Sequence, residues 1–255
     1  MSTSQKIRNY STTMKHSGAL LADTKLFFSH WHNQDTEDMQ IYWQSNLFAK
    51  SSRFRSKAIL RVLKQRYLQE LNVALALAEL VKNSCPANVL DKILYFHTAG
   101  FDRLIFDVVI EFLYPRYRQG RRDVQVSDLT AQLIQWTSNT WSAATTTRLS
   151  QGILAALRDF GILTGKSRKQ IIFPYLPVYA FAYIAFYLKQ LQPSVRKLME
   201  LSDWQLFFLK PIEVEKQLFE AHQQGILEYH VAGSVTRLTF PVPTLPEYAT
   251  FLAQR

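Results

Sequence analysis

The chain has 255 residues, of which 47% are hydrophobic and 20% charged, with 30 basic residues against 20 acidic ones and a net charge of +10. This composition excludes a disordered, collagen-like or disulfide-stapled protein. The single cysteine, Cys85, has no partner for an internal disulfide, and the first residues lack the apolar run of an export signal. We therefore expect a cytoplasmic protein.

The first 120 residues are predicted to form an all-helical domain with a basic stripe. Between Met39 and Gln69 the sequence holds seven basic residues and no acidic one. Five of these bases are three or four residues apart, a spacing that places them on one face of a helix, and four of the five fall within a predicted helix over Ser52–Leu71. They are Lys50, Arg53, Lys57, Arg61 and Lys64.

A second basic cluster follows a long amphipathic stretch from Val89 to Tyr114, which is predicted to end before Pro115. The four arginines of this cluster are Arg116, Arg118, Arg121 and Arg122. We expect them in a loop at the domain boundary. One charge run is commonly a solvated face, but several clusters on a basic chain favour a polyanionic partner, since a phosphate backbone rewards clustered Lys and Arg.

Residues 121–176 are predicted to form a winged helix-turn-helix unit. A helix from Ser127, a second helix over Ser142–Phe160, a glycine stop at Gly161 and a hairpin through residues 164–173 follow one another in the order typical of that motif. The second helix would enter the major groove, and the basic turn of the hairpin would lie along the phosphates.

The order of helix, Gly-Ile-Leu and hairpin recurs after Val214. Residues 200–255 are therefore predicted to form a second winged-helix-like unit, linked to the first by an aromatic helix over residues 177–199. The second unit is acidic, with seven acidic residues against four basic ones from Glu200 onwards. The predicted fold is thus mainly α, with an N-terminal helical domain, one or two winged-helix-like units and short β-hairpins.

The linking helix belongs to a segment, Ile171–Leu188, that carries no charge and approaches the length of a membrane span. Pro174 and Pro177 interrupt its first half. Its tyrosines recur every four residues, as Tyr175, Tyr179, Tyr183 and Tyr187. Because an unsatisfied hydroxyl in hydrocarbon is costly, a helix buried in protein is favoured over a membrane span.

No catalytic chemistry is indicated. The segment from Gly161 to Ser167 is one residue short of a P-loop and follows a helix where a P-loop follows a strand. His30 and His32 lack the further ligands of a metal site. We therefore expect no enzyme activity, no cofactor and no metal.

Three segments resemble a known family. They are Tyr10–Leu21, Asn46–Ala58 and Trp141–Leu163 with its Gly-Ile-Leu ending, and they are similar to BrxA, an accessory protein of bacterial BREX phage-exclusion systems. The resemblance extends over nearly the whole chain. It implies a non-enzymatic protein that binds double-stranded DNA in phage defence, beside a methyltransferase and an ATPase.

The leading hypothesis is a DNA-binding defence accessory with phosphate contacts and weak sequence preference. The lysines and arginines of the stripe and of the arginine cluster would bind phosphates. The start of the second winged-helix helix would probe the groove through Thr145, Thr146, Arg148 and Gln151. The wing would contribute Lys166, Arg168 and Lys169. The alternative is a protein-interaction adaptor that docks other defence components without intrinsic affinity for DNA, and membrane attachment comes third.

Overall fold

The computed structural model describes residues 10–33, 39–233 and 235–255, and the fold is mainly helical with short antiparallel strands, as predicted. The α-helices are α1 (Met14–Ser17), α2 (Leu21–His30), α3 (Gln40–Gln44), α4 (Arg53–Tyr67), α5 (Leu71–Lys82), α6 (Ala87–Phe101), α7 (Arg103–Asp107), α8 (Tyr114–Arg118), α9 (Val126–Thr137), α10 (Ala143–Asp159), α11 (Val178–Leu191), α12 (Val195–Met199), α13 (Pro211–Gln223) and α14 (Leu245–Ala253). The strands are β1 (Asp123–Val124), β2 (Leu163–Thr164), β3 (Lys169–Ile171), β4 (Glu228–Ala232) and β5 (Val235–Thr239). A π-helical turn, Val108–Leu113, joins α7 to α8, and a 3-10 helix, Ser202–Phe207, follows α12.

Residue contacts divide the chain into two compact units. The first unit combines the segment that ends at Ala19 with Asp102–Pro174, and the second combines Leu20–Phe101 with Tyr175–Arg255. These limits differ from the sequence-based boundaries at residues 120, 176 and 199. The difference arises from long-range packing: α5 and α14 pack against each other within the second unit, where the Thr250 hydroxyl donates a hydrogen bond to the Glu79 carboxylate at 3.2 Å.

The amphipathic stretch from Val89 to Tyr114 is not a single helix, and the prediction that it ends before Pro115 is wrong. Asp102 has extended backbone angles and separates α6 from α7. Its carboxylate accepts hydrogen bonds from the backbone N–H groups of Leu104 at 3.1 Å and Ile105 at 3.4 Å, which is the geometry of an N-cap. The stretch also continues past Pro115, because this proline lies in the first turn of α8, where its missing N–H is not needed.

In the first unit, α9 and α10 pack beside a three-stranded sheet. The turn between the helices passes through Ser138 and Asn139, which have φ values of 49° and 59°. The Ser142 hydroxyl then caps α10 by accepting from the Thr145 N–H at 3.3 Å. Gly161 follows the end of α10 and has φ of 71°, the left-handed conformation that was predicted from the sequence. The strand order is β1-β3-β2, all antiparallel.

In the second unit, the aromatic helix α11 is buried along most of its length, as predicted, and packs against α6, α13 and α14. Its Tyr183 hydroxyl lies 3.1 Å from Nε2 of His97 on α6. No helix in the described ranges is long and apolar enough to cross a membrane. After α13, Gly225 has φ of 64°, and β4 pairs with β5 from Glu228–Thr239 to Ala232–Val235. The predicted order of helix, glycine and hairpin is confirmed here.

Candidate nucleic-acid interface

Helix α4 separates apolar from basic side chains. Ile59 and Leu63 are buried against the core of the second unit, since they recur at helical spacing. Four bases on the other side are exposed, and we call them the α4 basic face: Arg53, Lys57, Arg61 and Lys64. None of the four forms a salt bridge in the described part of the chain. The predicted stripe therefore exists on the surface of the second unit.

Contacts around this face neutralise one residue of the predicted stripe, Lys50, and place an exposed aromatic residue, Phe54, beside the others. The Lys50 ammonium lies 2.8 Å from the Asp23 carboxylate and is half-buried, so its charge is compensated. The Lys57 ammonium stands 4.0 Å from the ring centroid of Trp43, a cation–π geometry. Phe54, next to Arg53, is 82% exposed and offers an apolar contact that sequence reasoning missed. The position of Phe54 within a run of basic residues is the sequence feature that could have identified it.

In the arginine cluster of the first unit, Arg116 and Arg118 lie in helix α8, where a loop was predicted, whereas Arg121 and Arg122 lie in the loop between α8 and β1. Arg116 is half-buried: its guanidinium lies 3.4 Å from the Asp128 carboxylate and 4.4 Å from the Phe112 ring centroid. Arg118, Arg121 and Arg122 are exposed. Of these, Arg122 lies 3.8 Å from the ring centroid of Tyr117. Such contacts restrict the guanidinium rotamers before any ligand arrives.

The first turns of α10 expose some of the predicted groove-reading side chains and bury another. Arg148 and Gln151 are exposed, and Thr145 is half-buried. Thr146 is only 1% exposed, and its hydroxyl donates to the Ser142 carbonyl at 3.1 Å. The inclusion of Thr146 among the contact residues is therefore corrected, because its place on the helix turns it towards the core.

The hairpin turn between β2 and β3 carries the predicted wing bases. Lys166 and Arg168 are exposed, whereas Lys169 is half-buried and its ammonium donates to the Lys166 carbonyl at 2.8 Å. Burial lowers the pKa of Lys169, and the nearby Arg158 guanidinium lowers it further. The Arg158 guanidinium is itself paired with the Asp159 carboxylate at 2.7 Å, and this carboxylate acts on the Lys169 pKa in the opposite direction.

An open groove of about 560 Å³ lies beside this turn, between residues 123–127 and 167–169. Its walls include the polar side chains of Gln125 and Ser127 together with Arg168 and Lys169. No sequence signal marks Gln125 or Ser127, because only the pairing of β1 with β3 brings residues 123–127 to this hairpin turn.

Gly165 is required by the geometry of this turn. It has φ of +86°, and a Cβ at this position would lie 2.0 Å from the Arg168 carbonyl oxygen. Gly165→Ala should lower the free energy of unfolding by about 1–2 kcal/mol, because the left-handed conformation and the clash both disfavour a side chain. Urea unfolding of the variant measures the loss. Gly120→Ala is the matched control, since Gly120 has φ of +75° and open space around it; equal losses in the two variants would show that the clash is relieved at no cost.

The described residues hold no group of three or more His, Cys, Asp or Glu side chains that could bind a metal ion. His30, one of the histidines considered above, ends α2, and its Nδ1 lies 2.9 Å from the Ser29 hydroxyl. The surfaces above carry cations, hydroxyls and amides, which are groups that proteins use to hold phosphates.

The sequence model of the BrxA family matches residues 8–187. This range includes the α4 basic face, the arginine cluster, α10 and the hairpin turn. No curated protein and no solved structure was found to match the chain.

Proposed function

The chain belongs to the BrxA family, which makes it a component of a BREX phage-defence system, and from that premise we propose that it binds double-stranded DNA mainly through phosphate contacts. The observation that carries the proposal is the α4 basic face. Its first and last bases, Arg53 and Lys64, are eleven positions apart on one helix, or about 16 Å at 1.5 Å per residue. Duplex DNA carries about one negative charge per 1.7 Å, so a face of this length meets several phosphates.

The first unit supports the same proposal by a different geometry. The two helices joined by a tight turn and the hairpin that follows them, in a sheet of order β1-β3-β2, support the interpretation of this unit as a winged helix-turn-helix. In that arrangement α10 enters the major groove with Arg148 and Gln151, while Lys166 and Arg168 of the wing follow the backbone. Arg118, Arg121 and Arg122 add exposed cations to the same unit.

In this proposal the protein catalyses no reaction and acts in the cytoplasm as an accessory. Its partners are double-stranded DNA and other BREX components, including a methyltransferase and an ATPase. Phosphates dominate the contacts, and we therefore expect similar affinity for duplexes of different sequence.

The decisive experiment is fluorescence polarisation with a labelled duplex of random sequence, from low to physiological salt. Wild-type protein should bind, and the logarithm of its affinity should fall linearly with the logarithm of salt concentration. The triple reversal Arg53→Glu, Arg61→Glu and Lys64→Glu should weaken binding about tenfold to a hundredfold. It should also reduce the salt slope by about 0.9 for each phosphate that the variant no longer neutralises.

Lys216→Glu is a suitable control, because Lys216 is exposed on α13 and lies outside these surfaces. If the triple reversal has no larger effect than Lys216→Glu, the α4 basic face is not a DNA surface. Absence of binding by wild-type protein at low salt would contradict DNA binding as a whole. The protein would then act as an adaptor, and co-purification with other defence components after nuclease treatment would test that role.

A further inference from the structure

The second unit contains a basic groove that the sequence analysis did not predict. The groove has a volume of about 470 Å³ and lies among the end of α11, the start of α12 and strand β5. Its basic and hydroxyl-bearing lining residues are Lys189, Ser194, Arg196, Thr236 and Arg237. We call it the hairpin groove. Three of the residues that line it are basic, two carry hydroxyls and none is acidic.

The three cations come from separate segments of the chain. The Lys189 ammonium donates a hydrogen bond to the Pro193 carbonyl and so ties the loop to the end of α11. Arg196 on α12 and Arg237 on β5 are exposed, and neither forms a salt bridge with any described residue. Both guanidinium groups are therefore available to an anionic ligand.

Three of the seven acidic residues that follow Met199 form hydrogen bonds away from this groove. The Glu213 carboxylate accepts from the Lys210 N–H at 2.7 Å and caps α13. The Glu215 carboxylate accepts from the Tyr229 hydroxyl at 2.9 Å. The Glu228 carboxylate accepts from the Thr239 hydroxyl at 3.0 Å, at the end of the hairpin away from its turn. None of these carboxylates lines the hairpin groove.

We propose that the hairpin groove is a second phosphate-binding surface that holds the sugar-phosphate backbone of duplex DNA. The inference rests on the DNA binding proposed above and adds a site that is independent of the α4 basic face. Guanidinium groups form paired hydrogen bonds with phosphate oxygens, and the Ser194 and Thr236 hydroxyls are the kind of neutral donor that accompanies them at a backbone. An open groove with polar walls suits a backbone better than an apolar peptide side chain, which needs an enclosed pocket.

The test uses the full-length double variant Arg196→Glu/Arg237→Glu in the polarisation assay. Its affinity for the random duplex should fall at least fivefold, and its salt slope should decrease by about 1.8, the value for two phosphates that are no longer neutralised. Two control variants show how much of the change in affinity comes from net charge alone. Lys216→Glu, exposed and outside the groove, should stay within twofold of wild type, and Arg196→Gln/Arg237→Gln should give an intermediate decrease in affinity.

The outcomes separate this inference from the proposed function. If wild type binds the duplex and the double variant binds as Lys216→Glu does, the hairpin groove is not a DNA surface, although DNA binding stands. If wild type itself fails to bind, both proposals fall. Both substituted arginines are exposed, so the fold should persist, and a far-ultraviolet circular dichroism spectrum checks this. Should the double variant be misfolded, the glutamine pair decides by the same criteria.

Discussion

Gly152→Ala is expected to lower the free energy of unfolding by about 2–3 kcal/mol, a large effect for the addition of one methyl group. Gly152 lies inside α10, where α1 crosses the helix. A Cβ at this position would lie 2.6 Å from the Met14 carbonyl oxygen and 3.2 Å from the Lys15 Cα. Both contacts are with backbone atoms, which cannot rotate away, so α1 would have to move off α10.

Gly100→Ala provides the matched control. Gly100 also lies in a helix, α6, but nothing stands within 4 Å of the position of its Cβ. Alanine there should raise stability by about 0.5–1 kcal/mol, because glycine loses more conformational freedom on folding. Urea unfolding monitored by circular dichroism measures both changes. A Gly152→Ala protein as stable as wild type would mean that the close approach of α1 to α10 contributes nothing to the fold.

Stability should fall as the pH drops from 7 to 5, because of His97. This side chain is only 7% exposed, and burial lowers its pKa to about 3. The unfolded chain protonates the same imidazole near pH 6.5, so between pH 3 and 6.5 the unfolded state binds more protons than the folded one. The stabilisation is complete above pH 6.5 and is lost as the pH falls, by about 2 kcal/mol between pH 7 and pH 5.

Urea unfolding at pH 7, 6 and 5 tests this expectation. Side-chain carboxyls with ordinary pKa values near 4 remain mostly ionised over the range, so the histidine contribution is visible. In His97→Gln the amide can occupy a similar volume near the Tyr183 hydroxyl but does not titrate, and the pH dependence should largely disappear. A wild-type stability that is flat from pH 7 to 5 would show that burial does not lower the pKa of His97. A chemical-shift titration of the imidazole protons gives the same answer without a variant.

Local patterns in the sequence predicted several elements of this fold correctly. The three- and four-residue spacing of Arg53, Lys57, Arg61 and Lys64 placed them on one exposed face of α4, because a helix of 3.6 residues per turn allows no other arrangement. Gly161 was predicted in the left-handed conformation, and its φ of 71° confirms it. Both signals lie within a few residues, and local backbone geometry decides them.

Other predictions depended on which face of a helix packs against the core, and some of these were wrong. Thr146 sits on the same helix as Arg148, but only the packing of α10 decides that the threonine is buried. Arg116 was grouped with the other arginines, yet Asp128 on α9 pairs with it. The net acidic charge of residues 200–255 concealed the contribution of Arg237 to the hairpin groove, because net charge sums residues that the fold separates.

The sequence by itself determined the helical class, the basic stripe and the order of helix, glycine and hairpin, since each depends on the spacing of neighbouring residues. The tertiary structure alone decided the two compact units, the break at Asp102 and the convergence of Lys189, Arg196 and Arg237 on one groove. These features depend on contacts between residues far apart in the chain. Such contacts form where apolar faces such as those of α5 and α14 meet and exclude water, and no local pattern in the sequence records which faces will meet.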